Sequence, residues 1–113
     1  MKAVVDFAVF EQLDIRIGTI VQAELNGKAR SPSFLMQIDF GSRVGIRKTS
    51  AQMTANYDPA SVIGLQVTAI INLPPKQIGG SMSEVLVLGV RDKEAHAVLI
   101  TPDRAVPNGT TMF

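Results

Sequence analysis

The sequence predicts a mainly β domain, a five-stranded Greek-key barrel with short helices and a C-terminal extension. Apolar and polar residues alternate over several short stretches, which is the period of a half-buried strand. Glycine, proline and Asn-Gly pairs separate these stretches at turn positions. The 113 residues, of which 46% are hydrophobic and 19% charged, suffice for one core. We therefore expect a single domain that spans residues 1–113.

The chain begins with a short predicted helix, after which the spacing of the apolar residues changes from three to two. Asp6 is placed to cap the helix, which carries an apolar residue at every third position. The period becomes two from Ile15, with Ile20 out of phase, and Gly18 predicts a bulge or bend in this first strand. The apolar side of the predicted helix consists of Phe7, Phe10 and Leu13. One face of the first strand consists of Ile15, Ile17, Val21 and Ala23.

The second and third strands are predicted on either side of a tight turn. A first loop precedes them, with a turn at Asn26-Gly27. Gly41-Ser42, between two alternating runs, is typical of a two-residue hairpin. The second strand places Phe34, Met36, Ile38 and Phe40 on one face. The third, residues 43–48, is predicted to bury Val44 and Ile46 and to turn Arg43 and Arg47 outward.

A helix is predicted between the third and fourth strands. Residues 49–52 fit a capping box, in which Thr49 and Gln52 would satisfy free helix donors, and Asp58-Pro59 ends the helix. The fourth strand follows Gly64. The apolar residues on one face of this strand are Val67, Ala69, Ile71 and Leu73.

The stretch from Asn72 to Gly89 combines a strand end, a loop and a strongly apolar strand. Pro74 and Pro75 end the fourth strand because they lack backbone donors. Gly79-Gly80 lets the loop turn sharply. The fifth strand, residues 84–90, predicts burial on both faces, either in the barrel or against a second copy of the chain. A last strand follows at 97–100.

Five or six strands with a helix after the third fit the OB-fold. OB-fold partners bind across strands two and three, between the first loop and the loop that joins strands four and five. On this scheme five basic residues converge: Lys28, Arg30, Arg47, Lys48 and Lys76. The alternative is that these cations belong to a solvated loop and a solvated strand face.

The composition argues against catalysis and against a resident metal or cofactor. The chain has no cysteine, which excludes disulfides, thiolate catalysis and cysteine-ligated zinc. Its one histidine, His96, argues against a histidine metal site or catalytic triad, and it leaves Ser83 without a base close in sequence. The net charge of +1 confines any nucleic-acid role to a local patch. We expect no enzyme, no metal site and no cofactor.

The hydropathy pattern predicts a cytoplasmic protein without membrane insertion. No apolar run approaches the roughly 20 residues that a membrane helix needs. The opening apolar stretch contains Asp6 and Glu11, and it lacks a signal-peptide core and cleavage site.

Six sequence motifs are spread over the chain. The first is the run F-E-Q-L-D-I-R-I-G-T-I-V-Q-A-E, residues 10–24, which is similar to the opening of the tRNA-binding domain family. The others are I-D-F-G (38–41), S-A-Q (50–52), N-L-P-P-K-Q-I-G-G (72–80), S-E-V-L-V-L-G (83–89) and P-N-G-T (107–110). These five resemble the CsaA chaperone branch of that family. The resemblance covers nearly the whole chain. It implies an OB-fold homodimer, a tRNA-binding surface in the wider family, and binding of peptides or preproteins in this branch.

The resemblance also implies which residues face the partner. The family motifs place Arg16, Lys48, Ser50, Asn72, Lys76 and Ser83 there, and a tRNA would in addition meet Arg47. Two departures from the family pattern weaken the expected binding of an anionic partner. Gln77 stands where the branch often has a basic residue, and Glu84 replaces a small residue of strict tRNA binders.

Two functions are therefore expected on this surface. The first is a CsaA-like chaperone that holds unfolded polypeptides in an apolar groove rimmed by Lys48, Asn72, Lys76 and Ser83. The alternative is a structure-specific tRNA binder, and an oligomerisation module without a ligand is a third possibility. A homodimer is predicted from the apolar fifth strand, the Phe-bearing N-terminal segment and the apolar last strand.

Overall fold

A computed structural model describes residues 1–113 as nine strands and two short helices. The elements are α1 (Phe7–Glu11), β1 (Ile15–Leu25), β2 (Phe34–Asp39), β3 (Ile46–Ala51), α2 (Pro59–Val62), β4 (Gln66–Ile70), β5 (Lys76–Ile78), β6 (Ser81–Ser83), β7 (Leu86–Val87), β8 (Gly89–Arg91) and β9 (Ala97–Leu99).

Five strands form a nearly closed barrel. The main sheet has the order β3-β2-β1-β4-β7. The segment that joins β6 to β7 closes it against β3, because the Glu84 N–H donates to the Lys48 carbonyl at 2.8 Å. With α2 between β3 and β4, this is the predicted OB-fold barrel, and the prediction of the fold class is confirmed.

The core lies inside this barrel and is built as the alternation of β2 predicted. Phe34, Met36, Ile38 and Phe40 are all buried. From β4, Val67 and Ala69 are fully buried opposite them. Alternation predicts this face well because β2 has one inner and one outer side throughout its length.

The bulge of β1 lies at Val21 rather than at Gly18. The register with β2 shifts between Ile20 and Gln22, which turns Ile20 into the core and leaves Val21 43% exposed. Gly18 has a different role, since a Cβ there would lie 2.7 Å from side-chain atoms of both Ile38 and Phe40. Glycine is required at this position because the aromatic core fills the space.

The predicted register of the third strand was wrong. The connection between β2 and β3 spans residues 40–45, with positive φ at Gly41 and Gly45, so it is longer than a two-residue hairpin. The later start reverses the faces: Ile46 is 56% exposed, whereas Thr49 is 1% exposed. A one-residue slip exchanges the two faces of a strand.

The predicted capping box at residues 49–52 was wrong for the same reason. Thr49 lies within β3, and the helix α2 begins later, with Asp58 at its N-cap position and Pro59 as its first residue. The Asp58 N–H donates to Ser61 Oγ at 3.0 Å, which ties the first turn together.

The apolar fifth strand is divided in the structure. Residues 84–90 form the closing segment, β7 and the start of β8, and β8 pairs with β9 outside the barrel. Leu86 is 49% and Val90 55% exposed in the single chain, so burial on both faces does not occur within it. Val85, in contrast, lies in the core at 5% exposure.

The two termini lie at one end of the barrel. The C-terminal tail runs beside β1: Gly109 N–H donates to Ile17 O at 2.7 Å, and Met112 N–H donates to Ile15 O at 2.8 Å. Asp6 occupies the N-cap position of α1 without a side-chain hydrogen bond, and α1 buries none of its residues.

None of the helices has the length and apolar character required to cross a membrane.

Candidate functional site

A β-hairpin stands on the outer face of the barrel where a loop was expected between the fourth and fifth strands. Strands β5 and β6 pair through a two-residue turn at Gly79 and Gly80, with φ of 54° and 81°. Both angles fit a type I′ turn, which strongly favours glycine. We call this hairpin, residues 76–83, the arm.

The tip of the arm rests against the first loop. Asn26 Nδ2 donates to the carbonyl of Ile78 at 3.4 Å. Gly79 approaches so closely that a Cβ would lie 2.6 Å from the backbone nitrogen of Ala29. The arm and the first loop are thus fixed relative to each other, with one cleft lined by β5 and another by β6.

The first cleft, which we call the basic cleft, has a volume of about 730 Å³. It is lined by residues 28–31, by Ser33, Ser50 and Gln52, and by residues 76–79. Lys28, Arg30 and Lys76 contribute positive charge, and no lining residue is acidic. Asp14 pairs with Arg16 and Asp103 with Arg104, and Glu94 lies 3.9 Å from His96, so Lys28, Arg30 and Lys76 take part in no ion pair. The basic cleft therefore favours an anionic or carbonyl-rich partner.

The second cleft is smaller and nearly balanced in charge. Its volume is about 190 Å³, and we call it the polar cleft. It is lined by Gln22, Glu24, Leu35, Met36, Gln37, Lys48 and Ser81. Lys48, a predicted partner-facing residue, lies here and not in the basic cleft. Glu24 lines the same cleft, and its negative charge reduces the attraction of this cleft for an anion.

A third cleft is apolar, with a volume of about 190 Å³. It lies between the end of β3 and the segment from β7 to β9, and most of its lining residues are hydrophobic. Ser50 lines both this cleft and the basic cleft, and its hydroxyl donates to Ser33 Oγ at 3.3 Å. Of the predicted residues, Ser50 and Lys76 thus lie together in the basic cleft.

Ser83 is buried and connects strands of the barrel. Its hydroxyl accepts a hydrogen bond from the Ser50 N–H at 3.1 Å and lies 3.1 Å from Thr49 Oγ1. Thr49 Oγ1 also donates to the carbonyl of Val85 at 2.9 Å. These bonds hold the closing segment against β3. Ser83 therefore has an evident structural role, and its 9% exposure leaves little for a partner to touch.

Asn72 and Arg16 lie together at the end of the barrel that carries the termini. Asn72 Nδ2 donates to Gln12 O at 2.8 Å, and Asn72 Oδ1 accepts the Asp14 N–H at 2.8 Å. Arg16 Nε donates to Asp14 Oδ1 at 2.8 Å. This hydrogen bond, with the nearby negative charge, raises the pKa of Arg16 although burial opposes it. Both side chains are occupied in joining α1 and β1 to the end of β4.

Arg47 does not converge with the other cations. It pairs in register with Ile38, one position from Lys48, so the two side chains leave opposite faces of β3. Arg47 Nε donates to the carbonyl of Val44 at 3.2 Å, within the connection before the strand. The sequence predicted an outward side chain from a register that the longer connection shifts.

No sequence pattern indicated that Gln52, Ser31 and Ser33 would line the basic cleft. Ser33 directly precedes β2 and is only 2% exposed, although it lines this cleft. The turn residues Asn26-Gly27 and Gly79-Gly80 indicated the first loop and the turn of the arm. Neither pair indicated that the loop and the arm are in contact. The chain contains no group of His, Cys, Asp or Glu side chains that could hold a metal ion.

Comparison with known proteins confirms the family resemblance. A family model described as "Putative tRNA binding domain" matches residues 15–111. The chaperone CsaA of Bacillus anthracis has a similar structure, with a TM-score of 0.91 and 43% identity over 98% of this chain and 100% of that one. The CsaA chaperone protein of Picrophilus torridus gives a TM-score of 0.90 and 35% identity over 97% and 100%.

The curated relatives are much longer proteins. The methionine–tRNA ligase of Flavobacterium johnsoniae is 32% identical over 98% of this chain, which corresponds to 15% of the ligase. The chain thus spans about a seventh of the length of that relative and matches only one segment of it.

Proposed function

This chain belongs to the tRNA-binding domain family and matches its CsaA branch over almost its whole length, and from that premise we propose a polypeptide-binding chaperone. It would hold unfolded polypeptides or preproteins without catalysing a reaction. The observation that carries this proposal is the basic cleft, where three unpaired cations and several hydroxyl and amide groups face one space without an acidic residue.

The proposed binding surface differs from the apolar groove expected from the sequence. Most of the residues that line the basic cleft are polar or charged, so we assign it the recognition of acidic side chains and main-chain carbonyls. The apolar cleft, reached from the same Ser50, would accept hydrophobic side chains of the same polypeptide. Lys76 and Ser50 remain in the proposed site, whereas Asn72 and Ser83 stabilise its scaffold.

We also propose that the chain forms a homodimer in the cytoplasm. Several apolar side chains of the terminal end are exposed, including Val4 at 90%, Val5 at 65% and Phe7 at 70%. Leu86 in β7 and Val90 in β8 add exposed apolar surface. Exposed apolar surface of this kind marks sites of protein association.

Substitution of the cleft lysines tests the chaperone proposal. The variant Lys28→Ala/Lys76→Ala should bind a fluorescent acidic unfolded peptide about tenfold more weakly, equivalent to about 1.4 kcal/mol, because two exposed charge contacts are lost. Fluorescence anisotropy measures this at moderate salt. Lys93→Ala, in the exposed turn between β8 and β9, is the matched control and should bind as the original chain does. Equal affinity of all three proteins would contradict the proposal.

The second candidate function is binding of a structured tRNA in the basic cleft. The charged residues that line this cleft are all cations, which favours a polyanion. Neither the basic nor the polar cleft offers an aromatic ring for base stacking. A bound RNA would therefore be held by phosphates and 2′-hydroxyls. The affinity for tRNA should then fall as salt rises, because each neutralised phosphate releases counterions. Absence of tRNA binding at low salt would exclude this function.

A further inference from the structure

Strand β5 has an unpaired edge on the side of the basic cleft. The arm is a two-stranded sheet, so β5 has β6 on one side and no strand on the other. All three residues of β5 line the basic cleft. The open edge is accessible, since Lys76 and Gln77 are both exposed.

The pairing of the arm directs one pair of main-chain groups to this edge. The turn at Gly79-Gly80 makes Ile78 and Ser81 a hydrogen-bonded pair. Hydrogen-bonded and non-bonded positions alternate in an antiparallel pair, so Gln77 and Met82 form a non-bonded pair. The N–H and C=O of Gln77 therefore point away from β6, and no loop, turn or side chain supplies them with a partner.

We propose that the chain captures an extended, acidic polypeptide segment by strand addition to β5. The segment would lie in the basic cleft as a third strand of the arm, and its main chain would exchange two hydrogen bonds with Gln77. Lys28, Arg30 and Lys76 would meet its acidic side chains. This inference rests on the proposed polypeptide-binding function and specifies the binding mode and the charge of the bound segment.

The chemistry of the edge favours a polypeptide over a nucleic acid. Addition of an extended peptide to an open sheet edge takes its affinity from main-chain hydrogen bonds and its specificity from flanking side chains. A free N–H and a free C=O on one residue match the donor and acceptor of a peptide main chain. A phosphate offers acceptors only, and a 2′-hydroxyl offers a single O–H donor, so a nucleic acid would have to bring two separate groups to pair the N–H and the C=O of Gln77.

The contact between the arm and the first loop supports this binding mode. Gly79 packs on Ala29, and Asn26 holds the carbonyl of Ile78, so the edge is fixed before a partner arrives. A preformed edge lowers the conformational entropy that binding would otherwise cost.

A pair of proline variants tests the inference. Among the main-chain groups of the arm, Gln77→Pro removes only the outward-pointing N–H, and proline is tolerated on an edge strand whose N–H faces solvent. Met82→Pro is the matched control, since it removes the corresponding outward N–H on the opposite edge of the arm. Because Gln77→Pro also replaces the Gln77 side chain, Gln77→Ala is the second control and should bind within about twofold of the original chain. With a fluorescent peptide of alternating aspartate and valine, Gln77→Pro should bind about tenfold more weakly, through loss of a hydrogen bond and its partner's desolvation. Met82→Pro should bind within about twofold of the original chain.

A second measurement uses the unaltered chain and does not depend on the folding of either variant. Saturation with the same peptide should slow the solvent exchange of the Gln77 amide, measured by NMR, and leave that of the Met82 amide unchanged. If the peptide binds but neither the Gln77 exchange rate nor the Gln77→Pro affinity changes, strand addition is wrong and the proposed function stands. If the peptide does not bind at all, both are wrong. Protection of Gln77 by tRNA and not by peptide would also overturn the inference.

Discussion

Gly18 shows how strongly one small residue constrains the barrel. A Cβ at this position would overlap Ile38 and Phe40, which are both buried. We predict that Gly18→Ala lowers the free energy of unfolding by about 1–3 kcal/mol, the usual cost of overpacking a core. Denaturant titration followed by circular dichroism measures it. Gly27→Ala is the control, because a Cβ there has no atom within 4 Å. Equal stability of the two variants would contradict this account of Gly18.

Asp92 makes the turn between β8 and β9 sensitive to acid. Its carboxylate accepts the N–H of His96 at 3.0 Å and the side-chain amide of Asn56 at 3.1 Å. The His96 bond, followed by the Asn56 bond, lowers the pKa of Asp92 below its ordinary value of 3.8. A lowered pKa in the folded state means that the stabilisation is complete above the ordinary value and is lost as pH falls through the folded value.

We therefore predict that the stability difference between the original chain and Asp92→Asn is largest near neutral pH. The difference should shrink as the pH falls below 3.8. Thermal unfolding of both proteins over a series of pH values measures it. A difference that stays constant down to the lowest pH would show that the Asp92 charge does not contribute.

At the scale of elements, hydroxyl groups close the barrel. Ser83 and Thr49 connect the closing segment to β3, and Ser83 also accepts the Ser50 N–H. We predict that Ser83→Ala lowers the free energy of unfolding by about 1–3 kcal/mol, because buried polar groups lose their partner. Ser81→Ala, two residues earlier on β6, is the control and should change stability much less. A Ser83→Ala variant as stable as this control would contradict a closing role.

The difference between β2 and β3 shows what the sequence could predict. The inward face of β2 followed directly from alternation. The faces of β3 depended on the length of the preceding connection, and Gly41-Ser42 did not show that Gly45 would also take a positive φ. The start of β3 lies three residues later than predicted, and a shift by any odd number of residues exchanges the two faces of a strand.

The candidate site was predictable to the extent that topology alone determines it. OB-fold connectivity predicted that five basic residues converge. Lys28, Arg30 and Lys76 line one cleft, whereas Arg47 and Lys48 do not line it. The bonds that occupy Asn72 and Ser83 join residues far apart in sequence, such as Asn72 with Gln12, and no local pattern predicts such pairs. The separation of Arg47 from Lys48 required the register of β3.

At the scale of the whole molecule, the exposed apolar groups at the terminal end predict self-association. Phe7 packs on Phe10 with ring centroids 5.6 Å apart, yet it remains 70% exposed. We predict that the chain has twice its monomer mass at micromolar concentration and that Phe7→Ser shifts it toward the monomer. Light scattering after size exclusion measures the mass. Val21→Ser, at the exposed bulge of β1, should remain dimeric, and a monomeric original chain would contradict the prediction.

The most direct test of the central claim is an NMR map of peptide binding. The ¹⁵N-labelled chain would be titrated with an unfolded acidic peptide at moderate salt, and amide shifts would be followed for the residues other than proline. Our account predicts the largest changes in the basic cleft, at residues 28–31, at Ser50 and at residues 76–79. It predicts small changes at Arg16 and Asn72, whose side chains are bound within the fold. Changes confined to the terminal end of the barrel, or no changes at all, would contradict the assignment of the basic cleft as the polypeptide site.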